Sequence, residues 1–229
     1  MAHAWKACWA QALEGSNPSP SAMQTRLYIH YATTLYHEDM MHELIFATGN
    51  IEKFAIAEHT CKQYDITLIQ KDLEIDEIQS EDPKRILMDK AKKAYALSNK
   101  PIIVSDNVWQ IPGLNGFPGP YMKSIDTWFS AEDLTRLTEQ LTDRRIVFTE
   151  QLCYIDSMRT KTFFAVIEGT IVQKPRGRYG KAGHKLFAMH GDGGLTMAES
   201  YDTGSGNTDR MSAQAWHEFA AWYRQKPQP

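Results

Sequence analysis

From His42 onward, apolar and polar positions alternate between two periods. Short apolar runs at Leu44–Ala47, Ile66–Gln70 and Pro101–Val104 read as strands of the kind buried on both faces. Between them lie stretches with apolar residues at helical spacing. The first is Ile51–Tyr64, with Phe54, Ala57 and Cys61 on one side. The second begins at the cap-and-first-turn pair Asp82-Pro83 and runs to Leu97, with Ile86, Lys90, Ala91 and Ala94 in line. Gly113–Gly119 is a Gly/Pro-rich loop, and Ala131–Leu141 is an amphipathic helix. Arg145–Asp156 and Thr160–Gln173 are two long strands joined at Ser157-Met158-Arg159, a hairpin. Residues 174–209, with eight glycines, read mostly as loop, and Met211–Arg224 as a closing aromatic-rich helix. Helices between early strands, then a hairpin, predict an α/β domain with a mixed sheet flanked by helices. The span 42–225 carries no internal repeat and no linker.

The first forty residues differ. Residues 1–25 open with a stretch rich in Trp and Ala, followed by Gly15-Ser16-Asn17-Pro18-Ser19-Pro20-Ser21, with no basic segment leading into an apolar one, so they do not read as a signal peptide. Gly-Ser-Asn-Pro is also what one reading frame of the transfer-RNA T-arm encodes. Residues 1–40 are therefore expected to be an extension, either disordered or translated from upstream DNA with the start at Met40 or Met41 (Met23 is a third candidate), and 41–229 a single domain.

The chain has 229 residues, 42% of them hydrophobic, enough for one large core. A net charge of −3 gives no electrostatic case for nucleic acid or an anionic membrane. No apolar run approaches the ~18 residues of a membrane span. Three widely spaced cysteines, Cys8, Cys61 and Cys153, imply neither a disulfide framework nor a metal knuckle, and point to a reducing cytoplasm.

Candidate chemistry starts at Thr48-Gly49-Asn50-Ile51-Glu52-Lys53. A strand ends in a small polar turn, a helix begins and a cation sits in its first turn; free N–H groups and the helix dipole there suit a phosphate. It is not a Walker A loop. Asp106 lies just past the strand Pro101–Val104, where α/β sheets place ligands. Glu77 sits in the acidic run Leu73–Gln79 and, taken alone, reads as a solvated loop residue. Together, Glu77 and Asp106 are two hard carboxylates able to hold Mg²⁺ beside phosphate oxygens. The basic cluster Lys174–Lys185 suits a nucleotide better than a duplex. His184 and His190 lack a third ligand at zinc spacing.

In order and spacing these strings resemble the inosine triphosphate pyrophosphatase family, across roughly Leu44 to Trp216. The family's S/T-G-N-x-x-K is Thr48–Lys53, its glutamate before the second helix is Glu77 in Glu77-Ile78-Gln79, and its D-S/T-G-L is Asp106-Asn107-Val108-Trp109. L-x-G-x-P-G-x-Y is Leu114–Tyr121, and P-R-G is Pro175-Arg176-Gly177. The resemblance implies an α/β fold with an elongated mixed sheet, a homodimer, and Mg²⁺-dependent hydrolysis of a nucleoside triphosphate, in that family usually a deaminated purine, to monophosphate and pyrophosphate. It assigns metal binding to Glu77 and Asp106, catalysis to Asp106 and Lys53, and substrate binding to Thr48, Gly49, Asn50, Lys53, Thr208 and Arg210; His184 and Lys185, with Lys181, are charges added outside the family pattern and are expected to bind an anionic substrate.

The departures cluster where the family reads the base. Gly180-Lys181-Ala182-Gly183-His184-Lys185-Leu186-Phe187 stands for G-F-G-W-D-P-x-F, without its stacking aromatics or aspartate. Gly204–Arg210 stands for K-N-x-x-S-H-R, keeping Arg210 and, conservatively, Thr208. Val108 replaces a glycine, which predicts a changed turn after Asp106. The expectation is a triphosphate-directed enzyme with altered base preference. The alternative is a nucleotide-binding sensor that no longer turns over.

Overall fold

The computed structural model describes residues 44–204 and 207–225, with side chains for 44–204 and 213–225. The expected extension at 1–40 lies outside the described residues. The strands are β1 (Leu44–Ala47), β2 (Leu68–Lys71), β3 (Ile102–Ile111), β4 (Phe117–Gly119), β5 (Arg145–Ile155), β6 (Thr160–Ile171) and β7 (Phe187–Met189). The helices are α1 (Ile51–Lys62), α2 (Pro83–Ser98), α3 (Met122–Trp128), α4 (Ala131–Thr138), α5 (Ala182–Leu186), α6 (Met197–Asp202) and α7 (Asn207–Gln225), with a 3₁₀ turn at Pro112–Leu114. The seven strands form one mixed sheet in the order β2-β1-β3-β5-β6-β7, with β4 pairing β3. β2, β1 and β3 are parallel; β5, β6 and β7 run antiparallel to their neighbours.

The parallel half is covered on both faces, so its strands are continuously apolar. Leu44, Phe46, Ile103 and Tyr154 face α1 and α7, packing with Ala57, Cys61, Trp216 and Phe219. Ile45, Ala47, Ile102, Val104 and Cys153 face Leu87, Ala91 and Ala94 of α2. A third apolar cluster under α3, α4 and α5 is centred on Ile111, Ile146, Leu134, Leu186 and Phe187. Helix starts follow the local chemistry. Asp82 accepts from Lys84 N–H at 2.9 Å ahead of Pro83. Ser130 and Asp133 form a reciprocal capping box at α4.

The structure corrects three expectations. The strand expected at Pro101–Val104 is ten residues long, Ile102–Ile111, because β5 pairs with it through Gln110↔Val147. Asp106 therefore stands within a strand rather than after one. Val108 is buried extended backbone; among the described residues only Asp65, Asn99 and Asn115 are non-glycines at positive φ, so the changed turn is a strand and carries no strain. The segment 174–209 holds α5, β7, α6 and the start of α7; its glycines punctuate short elements rather than marking a loop. Helix α3 was not foreseen, and β2 starts two residues later than expected.

Phe219 is fully buried and packs against Tyr154, Phe163, Trp216 and Tyr223 at centroid distances of 5.4–6.1 Å. Phe219→Ala is expected to lower unfolding free energy by about 3–5 kcal/mol, measured by urea denaturation. A loss below about 1 kcal/mol would mean that α7 is not part of the main core.

Candidate active site

The site arises from a mismatch in strand length. β1 pairs with β3 only over Ile102–Val104, and β4 takes up the same edge at Trp109–Ile111. Residues 105–108 of β3 have neither strand beside them. A cleft of about 720 Å³ opens there, lined by Asn50 and Lys53 of the α1 start, Glu77, Asp106 and, further along, His184. It sits at the C-terminal end of β1, where the chain turns into α1.

The turn into α1 is held by its own side chains. Thr48 Oγ1 accepts from Asn50 N–H at 3.1 Å, and Asn50 Oδ1 caps the helix by accepting from Lys53 N–H at 3.0 Å. Gln70 Nε2 donates to Thr48 O at 3.1 Å, tying the turn to β2. At Gly49 a Cβ would come within 2.8 Å of the Asp72 carboxylate, so the bare Cα lets that carboxylate lie against the turn.

The charges in the cleft are coupled. Burial pushes the Lys53 ammonium below its ordinary pKa, against the opposing pull of Glu150, Asp106 and Glu77. Burial raises the Asp106 carboxyl above its ordinary value, with Lys53 and Lys90 only partly offsetting it. Burial also pushes Glu77 upward, yet its net shift is down. Lys90 Nζ donates to its Oε1 at 2.6 Å, and the charges of Lys90, Lys123 and Lys53 add to that bond. At the far end, burial raises Asp126 and lowers His184, and the two partly compensate each other.

Of the residues singled out in the sequence, the structure brings together Asn50, Lys53, Glu77, Asp106 and His184. Thr48 and Gly49 shape the turn behind them. Lys185 is not among the lining residues. The side chains of Thr208 and Arg210 lie outside the described residues. Arg176 of the basic cluster serves the fold, pairing with Glu199 at 3.3 Å and donating to Gly194 O. Sequence reasoning missed Glu150, 3% exposed and lining the cleft, together with Lys123 and Asp126. The signal for Glu150 was available: it is the lone charge between Ile146 and Ile155 of a long strand.

The segment that lacks the resembled family's stacking aromatics gathers rings from other positions. Tyr179 and Tyr201 stack at 4.4 Å, His184 lies edge-on to Tyr179 at 5.9 Å, and Tyr179 Oη donates to Glu52 Oε1 at 3.0 Å. Tyr201 lines the cleft.

A divalent cation fits the donor set around Lys53, Glu77 and Asp106. The lining side chains include five carboxylates (Glu52, Glu77, Asp106, Asp126, Glu150) against four lysines (Lys53, Lys90, Lys123, Lys181), so a polyanion needs added positive charge. Among the described residues no group of three or more His, Cys, Asp or Glu is clustered as a metal cage. Two carboxylates completed by water and phosphate oxygens are the arrangement Mg²⁺ favours. Among the described residues no helix is long and apolar enough to cross a membrane.

The chain and its fold are similar to those of known proteins. The chain is 31% identical over 185 residues to the dITP/XTP pyrophosphatase of Methanopyrus kandleri, covering 80% of this chain and 96% of that one. It is 27% identical to the inosine triphosphate pyrophosphatase of Saccharomyces cerevisiae, over 69% of this chain and 84% of that one. Solved structures of the HAM1 protein of Coxiella burnetii (TM-score 0.67, 20% identity, 80% and 99% covered) and the Ham1 protein of Staphylococcus aureus (TM-score 0.65, 23%, 81% and 100%) share the fold. The sequence profile of the Ham1 family matches residues 44–222, and the chain belongs to that family.

Proposed function

We propose that the cleft hydrolyses a nucleoside triphosphate to the monophosphate and pyrophosphate. The observation that carries this reading is the convergence of a capped helix start, Lys53, Glu77 and Asp106 on one cleft of a Ham1 family member. The relatives named as dITP/XTP and inosine triphosphate pyrophosphatases support a deaminated purine as the starting point for the substrate. The replaced base-reading segment supports a shifted preference.

In this reading Asn50, Lys53 and the N–H groups of the turn hold the phosphates. Glu77 and Asp106 would hold Mg²⁺, which supplies positive charge to the polyphosphate when bound. Asp106 accepts the proton of the attacking water, a task that its raised pKa favours. The water oxygen bonds to the α-phosphorus, and the bond from that phosphorus to the α–β bridging oxygen breaks, releasing pyrophosphate. Lys90 steadies Glu77. Tyr201, His184 and Lys181 border the end left for the base; Thr208 and Arg210 stay in the reading as substrate contacts carried from the resemblance, and Lys185, outside the cleft lining, as an added charge that favours an anionic substrate. The homodimer also belongs to the reading, with the exposed Trp128 and Leu137 as apolar surface for a second copy. The free, buried Cys61 and Cys153 accord with a reducing cytoplasm.

Asp106→Asn is expected to lower kcat by about 10²–10⁴-fold while nucleotide binding persists, measured by pyrophosphate release with Mg²⁺. Unchanged turnover would remove Asp106 from the chemistry. The same variant is expected to melt higher at neutral pH. The folded-state pKa of Asp106 is raised, so its ionised form costs stability once pH exceeds the ordinary carboxylate value of 3.8. The gain in Tm should vanish below that pH; a lower Tm at pH 7 would contradict the burial argument. Lys53→Ala is expected to weaken triphosphate affinity by roughly 10–100-fold, the loss of a charge-assisted hydrogen bond. Equal affinity by calorimetry would argue against its phosphate role.

A further inference from the structure

Asp106 shares a rung of the sheet with Gln151. The two stand directly opposite each other in the antiparallel pair β3–β5. Their side chains therefore leave the same face, with Cβ atoms about 4.5–5.5 Å apart. It is the face on which Val104 and Cys153, one rung away, meet Leu87 and Ala91 of α2. Across β5–β6, Gln151 is opposite Phe164, which brings no acceptor. On the three rungs Val104–Cys153, Asp106–Gln151 and Val108–Thr149 the one charged acceptor is Asp106.

Gln151 is 2% exposed, and its Nε2 is buried with no hydrogen-bond partner. That atom carries two donor hydrogens, so leaving it unpaired costs stability. Beside the apolar Val104–Cys153 rung a leucine or methionine would pack without that cost. Asp106 has the complementary need. Among the described residues its carboxyl takes one hydrogen bond, from Asn107 N–H to Oδ1 at 2.9 Å. The acceptor sites of Oδ2 are left for other donors. A carboxylate that takes a proton from water works only while it stays aimed at that water, and a donor behind it fixes the aim. Gln151 is not among the residues lining the cleft, so it reaches the chemistry through Asp106.

We propose that Gln151 is a positioning residue for Asp106: when substrate binds, Gln151 Nε2 donates a hydrogen bond to the Asp106 carboxylate and fixes its orientation toward water. The inference rests on the pyrophosphatase reading for the role of Asp106. It extends that reading to a side chain behind the cleft wall.

The test is a double-mutant cycle on the full chain, read by pyrophosphate release from inosine triphosphate with Mg²⁺. Gln151→Met keeps the length of the side chain and removes the donor. It is expected to lower kcat about tenfold or more, the value of one hydrogen bond to a charged group, with KM little changed. Tm is expected to hold or rise, because an unpaired amide leaves the core. In the Asp106→Asn background the same change is expected to cost nothing further, since the carboxylate it positions is gone. Gln151→Glu, of the same shape, sets a second carboxylate against Asp106 and is expected to lose more than Gln151→Met. Wild-type kcat in either single variant overturns the proposal, and so does an equal kcat loss in both backgrounds, the mark of a merely structural role. A second readout needs no turnover. The side-chain amide signal of Gln151 in a ¹⁵N–¹H spectrum, assigned by its absence from Gln151→Met, is expected to move when Mg²⁺ and the α,β-methylene analogue of inosine triphosphate are added to the wild-type chain. It is expected to stay in Asp106→Asn. A signal that stays in the wild-type chain, or moves equally in both, overturns the contact. A moving signal without pyrophosphate release would remove the proposed activity and keep the contact. Pyrophosphate release with a still signal and an additive cycle would do the reverse.

Discussion

The site depends on β1 being short and β3 long. β1 ends at Ala47, opposite Val104, while β3 continues to Ile111. The gap left along that edge opens a cleft that Asp106 and Asn107 of this central strand line. The same termination places the start of α1 beside them, since β1 and α1 are separated only by Thr48, Gly49 and Asn50. Extending β1 by pairing would fill the edge and carry the helix start away from Asp106. On the other side β5 pairs with β3 without interruption and keeps this wall straight, which is why Val108 needs no special backbone conformation.

Charge burial is the cost of that geometry. Lys53 is pushed toward its neutral form and Asp106 toward its protonated form, each held back by the other's charge. Both departures are destabilising at neutral pH, and the apolar clusters on the two sheet faces offset them. Glu77 differs: its bond to Lys90 holds it ionised at the half-open side of the cleft. Two carboxylates with opposite shifts share one cavity, so each suits a different task, one as a stable anion and the other as a proton acceptor.

Much of this was legible in the chain, and the limits have physical causes. The turn Thr48–Lys53 could be read because strand end, cap and helix start are local events within a few residues. The hairpin Arg145–Gln173 could be read because its periodicity is long. The length of β3 could not: Ser105, Asp106 and Asn107 look like a strand end, and only the pairing with β5, more than forty residues away, keeps them extended. Glu150 was overlooked for the same reason, since its strand position is evident but its place beside Lys53 is a tertiary fact. The rings of Tyr179, His184 and Tyr201 meet although they are scattered over more than twenty residues, so the missing motif aromatics concealed a different stack.

The central claim is that this cleft directs water to the α-phosphorus. Its most direct test is the identity of the products formed by the full chain from inosine, xanthosine and standard nucleoside triphosphates with Mg²⁺ in ¹⁸O-labelled water. The account predicts pyrophosphate and a nucleoside monophosphate, with the label on the monophosphate. Release of orthophosphate and a diphosphate, or label in the pyrophosphate, would contradict it.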